Sequence, residues 1–415
     1  MSKKLRNRLI ALICLLAFAA LGGLFYVNWV VQRPFAIILF LGDGLTTGML
    51  PAARLYQDGA DHRLNLEELP NLALLTTYAN DFAVPDAASA ASAIATGTKT
   101  NNSSLAVDAA GHPLESLLTI ASRTGRSIGL VSNASLTDST AAAFFAKTTD
   151  PLNNEEIALQ LARDANLDLA LGGGEFDFVP ESKNGRRKDG RDLLLEMRNQ
   201  GYDIVRSRTE LEDIPIWRAP RVLGLFADGN LDFSDTRESQ GRQPALSDMV
   251  RRAIQLLQYN PKGYLLVVDA GLIAKASHNN EGERVLREIL ELDAAVGTAL
   301  EYAGRKALII VAGKQSVGGF RMNGYPFKND RGVSVLGTNT QGMPSITWST
   351  GPGGASTGFN QTATGNRPTE PSAFLAPAAV GVAEDVIAVS SGPGAEALRG
   401  FKDNTDIFRL IRGNL

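Results

Sequence analysis

The stretch AIILFLGDG, residues 36–44, is the segment from which the fold is most directly predicted. Its unbroken apolar run Ala36–Gly42 is typical of a strand that is buried on both faces of a sheet. Comparable runs follow later in the chain: LALLTTYA, SIGLVSN, LDLALGGG, GYLLVVDAG, ALIIVAG and DVIAVSSG. Segments with helical periodicity lie between them, such as LSDMVRRAIQLLQ and ERVLREILELDAAVGTALEYAG. This alternation predicts an α/β fold with a large, mostly parallel sheet sandwiched by helices.

The residues at the ends of these strands are the first candidates for a functional site. In open parallel sheets, ligands bind outside the carboxyl ends of the strands. Asp43, Asp269 and the residues around Gly313 occupy such ends. The glycines that flank Asp43 either let another backbone approach closely or only form the turn after the strand. We favour the close approach.

The amino terminus predicts a membrane anchor. Residues 1–8 are basic, and the 23 residues Leu9–Val31 carry no charge. That length crosses a hydrocarbon core of about 30 Å at about 1.5 Å per residue. Because positive flanks stay in the cytoplasm, we expect a single-pass protein of the inner (cytoplasmic) membrane, with residues 36–415 on the periplasmic or extracellular side.

A cleaved signal peptide is the alternative interpretation of this segment. Ala17-Phe18-Ala19 could serve as the cleavage site. Cleavage there would leave the strongly apolar tail LGGLFYVNWVV on the mature protein. We therefore favour an uncleaved anchor.

Composition excludes two classes of protein. Beyond residue 33 the chain carries 36 basic and 44 acidic residues. Such a body is a poor nucleic-acid binder, because that binding depends on neutralising phosphates. One cysteine, Cys14, rules out an intrachain disulfide.

The stretch 320–377 is rich in Gly, Thr, Asn and Pro. This composition predicts an inserted loop or a small β-rich excursion rather than a separate domain.

Several motifs, taken together and in order, resemble those of the alkaline phosphatase family. They cover about residues 36–413 and include FLGDGLTTGMLPAARLY, VPDAASAASAIATGTKT, GLVSNASLTDSTAAAFFA and PKGYLLVVDAGLIAKASHNN. The resemblance implies this family's fold and a typically dimeric assembly. It also implies a reaction that uses a serine nucleophile, a phosphate-binding arginine, two zinc ions and one magnesium ion.

This sequence departs from the family pattern at most of the positions that carry the reaction. The nucleophile position holds Ala87, although Asp86 before it is retained. No arginine stands near Asp150, where the phosphate-binding arginine is expected. The expected zinc ligands are replaced by Ala274, Gly313, Lys314 and Gly381, and His278 alone remains. One histidine does not build two zinc sites, so Zn²⁺ is not expected.

The magnesium position is the best preserved of the family's sites. By the resemblance its ligands are Asp43, Asp138, Thr140 and Asp269, which are hard oxygen donors suited to Mg²⁺. Asp269 stands where the family has a glutamate. We favour one bound magnesium ion slightly over an ion-free cluster paired with Lys314. His278 is better explained as a hydrogen-bonded pocket residue than as a ligand.

The sequence therefore predicts a membrane-anchored pseudoenzyme with an alkaline phosphatase fold. Its role would be that of a binding or scaffold protein, or of a subunit in a homo- or heterodimer. One alternative is a metal-dependent phosphomonoesterase or phosphodiesterase of altered mechanism, a phosphoric ester hydrolase of the same class. Another is a phosphate or anion sensor, in which Lys314 and the helix amino terminus at Ala87 supply positive potential.

Overall fold

The computed structural model describes residues 3–25, 34–163, 166–304, 306–323, 336–338, 343–353 and 369–415. Fourteen strands are present in this part of the chain: β1 Ala36–Gly44, β2 Asn71–Thr76, β3 Ser127–Ser135, β4 Leu169–Gly173, β5 Asp203–Val205, β6 Val222–Leu225, β7 Tyr264–Ala270, β8 Ala307–Val317, β9 Arg321–Met322, β10 Ile346–Gly351, β11 Ser372–Leu375, β12 Gly381–Val382, β13 Val386–Ser391 and β14 Gly400–Asp403.

The α-helices of the same residues precede, connect and follow these strands. They are α1 Lys3–Phe25, α2 Met49–Gln57, α3 Ala87–Thr96, α4 Leu117–Arg123, α5 Ser139–Ala142, α6 Asn154–Arg163, α7 Leu193–Asn199, α8 Arg208–Glu212, α9 Ser234–Gln240, α10 Leu246–Leu257, α11 Leu272–His278, α12 Gly282–Tyr302 and α13 Thr405–Asn414.

One sheet of 11 strands organises the body, in the order β14-β2-β13-β8-β1-β7-β3-β4-β6-β5, with β12 pairing with β8. The central strand β1 lies parallel to both β7 and β8. Strand β13 runs antiparallel to its neighbours β2 and β8. The predicted sheet sandwiched by helices is confirmed, and its parallel strands align their carboxyl ends along one edge.

The unbroken apolar run of β1 is explained by packing on both faces of the sheet. Ile38 and Phe40 belong to the core that includes α10 and α12. Leu39 and Leu41 belong to the opposite core, which includes α3 and α13. A strand covered on both sides has no solvent-facing positions, so apolar and polar residues do not alternate along it.

The described residues of the predicted insertion form a second, three-stranded sheet in the order β11-β10-β9. Trp348 of β10 packs edge-on against Phe320, with ring centroids 5.2 Å apart. The rest of the predicted insertion, including residues 324–335 and 354–368, lies outside the described residues.

Helix α1 is long and apolar enough to cross a membrane, with a mean hydropathy of 1.7 over Lys3–Gly23. A signal sequence near the amino terminus has the same properties. The helix begins within the predicted cytoplasmic flank, at Lys3. The last part of the predicted anchor, residues 26–31, lies outside the described residues.

Candidate functional site: an acidic cluster paired with two lysines

Three strand ends bring the predicted site residues to the carboxyl edge of the sheet. Leu41 of β1 pairs with Asp269 of β7, and Gly42 pairs with Gly313 of β8, so Asp43 and Lys314 follow side by side. Gly44 has a φ of +90°. A Cβ atom there would lie 3.5 Å from Cα of Ala274 in α11. That separation is an ordinary van der Waals contact, so the positive φ of the turn after β1, rather than the close backbone approach we favoured, accounts for glycine at position 44.

Lys314 is inserted between two of the four predicted magnesium ligands. Its Nζ donates to Asp43 Oδ2 at 2.8 Å and to Thr140 Oγ1 at 2.7 Å. The Thr140 hydroxyl in turn donates to Asp43 Oδ2 at 3.1 Å. The Lys314 side chain is 0% exposed. A buried ammonium is tolerated when it is paired and hydrogen-bonded, as it is here.

A second lysine, Lys275 of α11, pairs with the third predicted ligand. Its Nζ lies 2.5 Å from Asp138 Oδ2, while Asp138 Oδ1 accepts from the Ser139 amide at 2.8 Å and so caps α5. Burial by itself would raise the pKa of Asp138, but Lys275, together with Lys314 and the Ser139 amide, offsets this and the pKa is lowered. Burial opposes the charge of Lys275, but Asp138, together with Asp43 and Asp269, offsets this and the pKa of Lys275 is raised.

Asp269, the fourth predicted ligand, is fully buried, and no lysine of the described residues bonds it. Ser132 Oγ donates to Asp269 Oδ2 at 2.7 Å. Burial raises the pKa of Asp269 to about 7, and the negative charge of Asp43 adds to the effect, while Ser132 and Lys314 oppose it. When Asp269 is protonated, the cluster holds two carboxylates and two ammonium groups and is electrically balanced.

We use the name acidic cluster below for six residues: Asp43, Asp138, Thr140, Asp269, Lys275 and Lys314. In the arrangement observed, the oxygen donors of the acidic cluster do not fit a resident magnesium ion. One oxygen each of Asp43, Thr140 and Asp138 bonds an ammonium group. Asp43 Oδ1 and Asp269 Oδ1 are buried and without a partner among the described residues. In that part of the chain no three His, Cys, Asp or Glu side chains are grouped as a metal site. Mg²⁺ prefers a nearly octahedral set of oxygens, and this set is occupied by lysine.

The remaining predicted pocket residues have structural contacts of their own. Asp86 caps α3, accepting from the amides of Ser89 at 2.8 Å and Ser103 at 2.6 Å. Ala87, which the family resemblance predicts at the nucleophile position, is the first residue of that helix. His278 Nδ1 lies 2.6 Å from the Ala379 carbonyl. Among the described contacts of Asp86 and His278, none reaches the acidic cluster.

The serines near Ala87 do not take over its position. Ser89 Oγ donates to Asn102 Oδ1 at 2.7 Å. Ser92 is fully buried and its hydroxyl bonds the Ser104 carbonyl at 3.2 Å. Both hydroxyl groups are engaged in holding the loop that follows α3 against the helix.

Comparison with known proteins identifies the family of the chain. The sequence profile of alkaline phosphatases matches residues 36–414. The chain belongs to the alkaline phosphatase family. It is 32% identical over 313 residues to alkaline phosphatase 4 of Bacillus subtilis, covering 72% of this chain and 65% of that one. It is 28% identical over 424 residues to the human tissue-nonspecific isozyme, covering 88% of this chain and 80% of that one.

Solved structures of this family share the fold. The alkaline phosphatase of the Antarctic bacterium TAB5 superposes with a TM-score of 0.74 at 24% identity, covering 92% of this chain and 98% of that one. The Thermus thermophilus enzyme gives a TM-score of 0.74 at 25% identity, covering 92% of each chain. A TAB5 mutant with a TM-score of 0.71 has magnesium bound in its M3 site.

Lys275 is the residue of the site that sequence reasoning missed. It directly follows Ala274, which replaces an expected zinc ligand, within the quoted motif PKGYLLVVDAGLIAKASHNN. A basic residue beside a lost metal ligand could have signalled charge replacement, as Lys314 did.

Proposed function

We propose that this chain is a membrane-anchored alkaline phosphatase-like pseudoenzyme that binds a partner rather than hydrolysing phosphate esters. The observation that carries the proposal is the insertion of Lys314 Nζ between Asp43 Oδ2 and Thr140 Oγ1, at 2.8 and 2.7 Å. Lysine gives the acidic cluster the positive charge that a divalent cation would give, without the cation.

An ammonium group can neutralise carboxylates, but it cannot replace the chemistry of a bound metal. A metal ion accepts an oxygen of the substrate or a water molecule into an open coordination position, whereas an ammonium only donates hydrogen bonds. In this chain the nucleophile position also holds the methyl group of Ala87. Loss of a catalytic nucleophile alone costs on the order of a million-fold in turnover in serine hydrolases.

The hydrolase of altered mechanism is the second candidate. Asp43 Oδ1 and Asp269 Oδ1, which are buried and have no hydrogen-bond partner among the described residues, favour it, because they could accept a cation. A cation that also used Asp43 Oδ2 would have to displace Lys314, leaving a buried ammonium without its partner, which is costly. We therefore favour the ion-free cluster paired with Lys314 over a bound magnesium ion, whereas the sequence alone slightly favoured the magnesium ion.

The sensor hypothesis is weakened at both of its sources of positive charge. Lys314 is fully buried and already bonded to Asp43 and Thr140. The amino terminus of α3 is capped by the carboxylate of Asp86, which satisfies the amide of Ser89. An incoming phosphate would meet an acid at the helix end rather than open amide groups.

A chromogenic phosphomonoester assay tests the proposal directly. The full chain, purified in detergent, is incubated with p-nitrophenyl phosphate and with added Zn²⁺, Mg²⁺ or both. We expect no turnover above that of the Asp43→Asn variant under any condition. Turnover in the unmodified chain that Asp43→Asn abolishes would instead establish the hydrolase. Circular dichroism of both proteins checks that each is folded.

The binding role is supported by a complete fold that has lost its chemistry, and by the family's typically dimeric assembly. A protein partner or a second subunit would then use the intact body as a scaffold. Sedimentation of the detergent-solubilised chain distinguishes a dimer from a monomer of 44.2 kDa. A monomer that is also recovered alone from native membranes would contradict the scaffold role.

A further inference from the structure

The amino-terminal edge of the large sheet is where the chain passes from α1 into the body. The described part of α1 reaches Phe25, and the described chain resumes at Pro34, just before β1. Eight residues lie between them, and eight residues span at most about 29 Å. If α1 is the anchor proposed above, on which this inference rests, the same edge is held close to the bilayer.

Three basic residues surround the point where the chain joins the body. Arg126 is buried and donates to the carbonyl groups of Phe35 at 2.8 Å and Pro34 at 2.9 Å. The Lys306 carbonyl accepts from the Phe35 amide at 3.0 Å, and its side chain is exposed. The exposed Lys262 stands two residues before β7, the strand beside β1.

The exposed lysines at this edge are available for an external anion. Among the described residues, no salt bridge joins Lys262 or Lys306 to an acid. Exposed acids in loops of the same edge include Glu68 before β2, Asp213 before β6, Glu301 near the end of α12 and Glu396 after β13. Lys262 and Lys306 precede β7 and β8, the two strands that flank β1.

Large aromatic side chains are exposed along the same edge. Trp217 is 81% exposed in the loop before β6, Tyr259 is 59% exposed before β7, and Tyr302 is 42% exposed before β8. Strand β6 is four positions from β1 in the sheet, or about 19 Å at the usual strand spacing. Tryptophan and tyrosine are enriched at membrane–water interfaces because one end of the ring system is apolar and the other polar.

We propose that this amino-terminal edge is a membrane-docking surface that binds anionic phospholipid headgroups. Lys262 and Lys306 contact the headgroup phosphates, while Trp217, Tyr259 and Tyr302 insert at the interface. Each lysine near an anionic surface contributes a factor of about five in association. The anchor sets which edge faces the lipid, and repulsion of the acidic remainder of the body by the same surface favours that orientation.

Docking in this way turns the acidic cluster away from the bilayer. The cluster lies at the carboxyl edge of the sheet, and β1 spans nine residues between the two edges, or about 30 Å. The carboxyl edge and its loops would then face the aqueous side, where a protein partner can reach them.

Hydrogen exchange of the full chain in lipid nanodiscs tests the docking. Nanodiscs of phosphatidylcholine alone are compared with nanodiscs that also contain phosphatidylglycerol. We expect the amides of residues 258–263 and 303–306 to exchange more slowly in the anionic nanodiscs, with the difference shrinking as salt screens the charges. Residues 139–148, at the opposite edge, should exchange equally in both.

Charge-reversal variants make the test specific. In the double variant Lys262→Glu/Lys306→Glu, the slowing of amide exchange by anionic nanodiscs, relative to neutral ones, should be smaller by at least about tenfold. The matched control Lys188→Glu/Arg242→Glu alters exposed residues in loops at the other edge and should leave it unchanged. If the first variant does not fold, Tyr259→Ser/Tyr302→Ser replaces it and should also reduce protection.

Two results would overturn the docking surface. One is equal exchange of these loops in neutral and anionic nanodiscs. The other is protection that rises with protein concentration regardless of lipid charge, which would assign the edge to contact between copies of the chain. The intact mass of the chain extracted from membranes tests the anchor separately, because cleavage would remove the first residues.

Discussion

Lys314 shows how one side chain can preserve the structure of a site while removing its chemistry. Its ammonium bonds Asp43 and Thr140 in a position closed to solvent. Removing one partner of a buried ion pair leaves the other charge unpaired and typically costs about 3 to 5 kcal/mol. We expect Lys314→Met to lower the free energy of unfolding by that amount in urea denaturation.

Lys275→Met is the control for this prediction. The Lys275 side chain is 35% exposed, so water screens the loss of its pairing with Asp138 and the expected cost is smaller, about 1 kcal/mol or less. Equal effects of the two substitutions would show that burial of Lys314 does not govern the stability of the acidic cluster.

Asp269 predicts an unusual dependence of stability on pH. Burial raises its pKa from 3.8 to about 7, so the folded chain holds this proton where the unfolded chain has lost it. The contribution of Asp269 to folding is therefore fully present below about pH 4 and is lost as the pH rises to about 7. We expect Asp269→Asn to be more stable than the unmodified chain above pH 7, by up to about 4 kcal/mol.

Comparing the free energy of unfolding of the unmodified chain with that of Asp269→Asn separates the effect of Asp269 from that of other buried acids. Burial also raises the pKa of Glu370 to about 7 and that of Glu288 to about 8, and these groups titrate in both proteins. A stability difference that stays constant from pH 4 to pH 8 would contradict the assignment.

For single residues, the sequence predicted which side chains lie close together better than it predicted what each side chain does. Asp43, Thr140, Asp269 and Lys314 were brought together by strand ends and by family motifs. The role of Lys314 depends on its distance to Asp43, which only the folded chain defines. Lys275 of α11 and Asp138 at the start of α5 are more than a hundred residues apart in the sequence, so no local pattern reveals that they pair.

Helix α3 keeps the structure that the family resemblance predicts for the nucleophile segment, although its first residue is Ala87 rather than serine. Asp86 caps the helix through the amide of Ser89 and also accepts from the amide of Ser103 in the following loop, and loss of such a cap typically costs about 1 kcal/mol. We expect Asp86→Ala to lower stability by about that amount. Ala87→Ser keeps the cap and should change stability by less than about 0.5 kcal/mol.

The same two variants separate a structural role of this segment from a catalytic one. Ala87→Ser should give no turnover of p-nitrophenyl phosphate, because the expected metal ligands remain absent. Measurable turnover in this variant would show that the rest of the site is still competent. An unchanged stability of Asp86→Ala would remove the capping role of that carboxylate.

Elements with long apolar or periodic patterns were predictable, and short or non-local ones were not. Strands β1, β7 and β8 were evident because burial on both faces produces continuous apolar runs. Strand β14, with four residues, carries no comparable signal. The antiparallel direction of β13 depends on its pairing with β2 and β8, which is set by the whole sheet rather than by its own residues.

Across the whole molecule, the core and the site are separable. The two cores lie on the faces of the sheet, whereas the acidic cluster lies at its carboxyl edge. Substitutions at the edge can therefore remove catalysis without removing the fold. This explains why family membership was predictable from the sequence while activity requires measurement.

The metal content of the purified chain tests the central claim, that lysine replaces metal in this site. Elemental analysis is made on the full chain after exposure to excess Zn²⁺ and Mg²⁺ and thorough dialysis. The account predicts far less than one ion of either metal per chain, in both the unmodified chain and Asp43→Asn. One or more ions per chain that are lost in Asp43→Asn would contradict it.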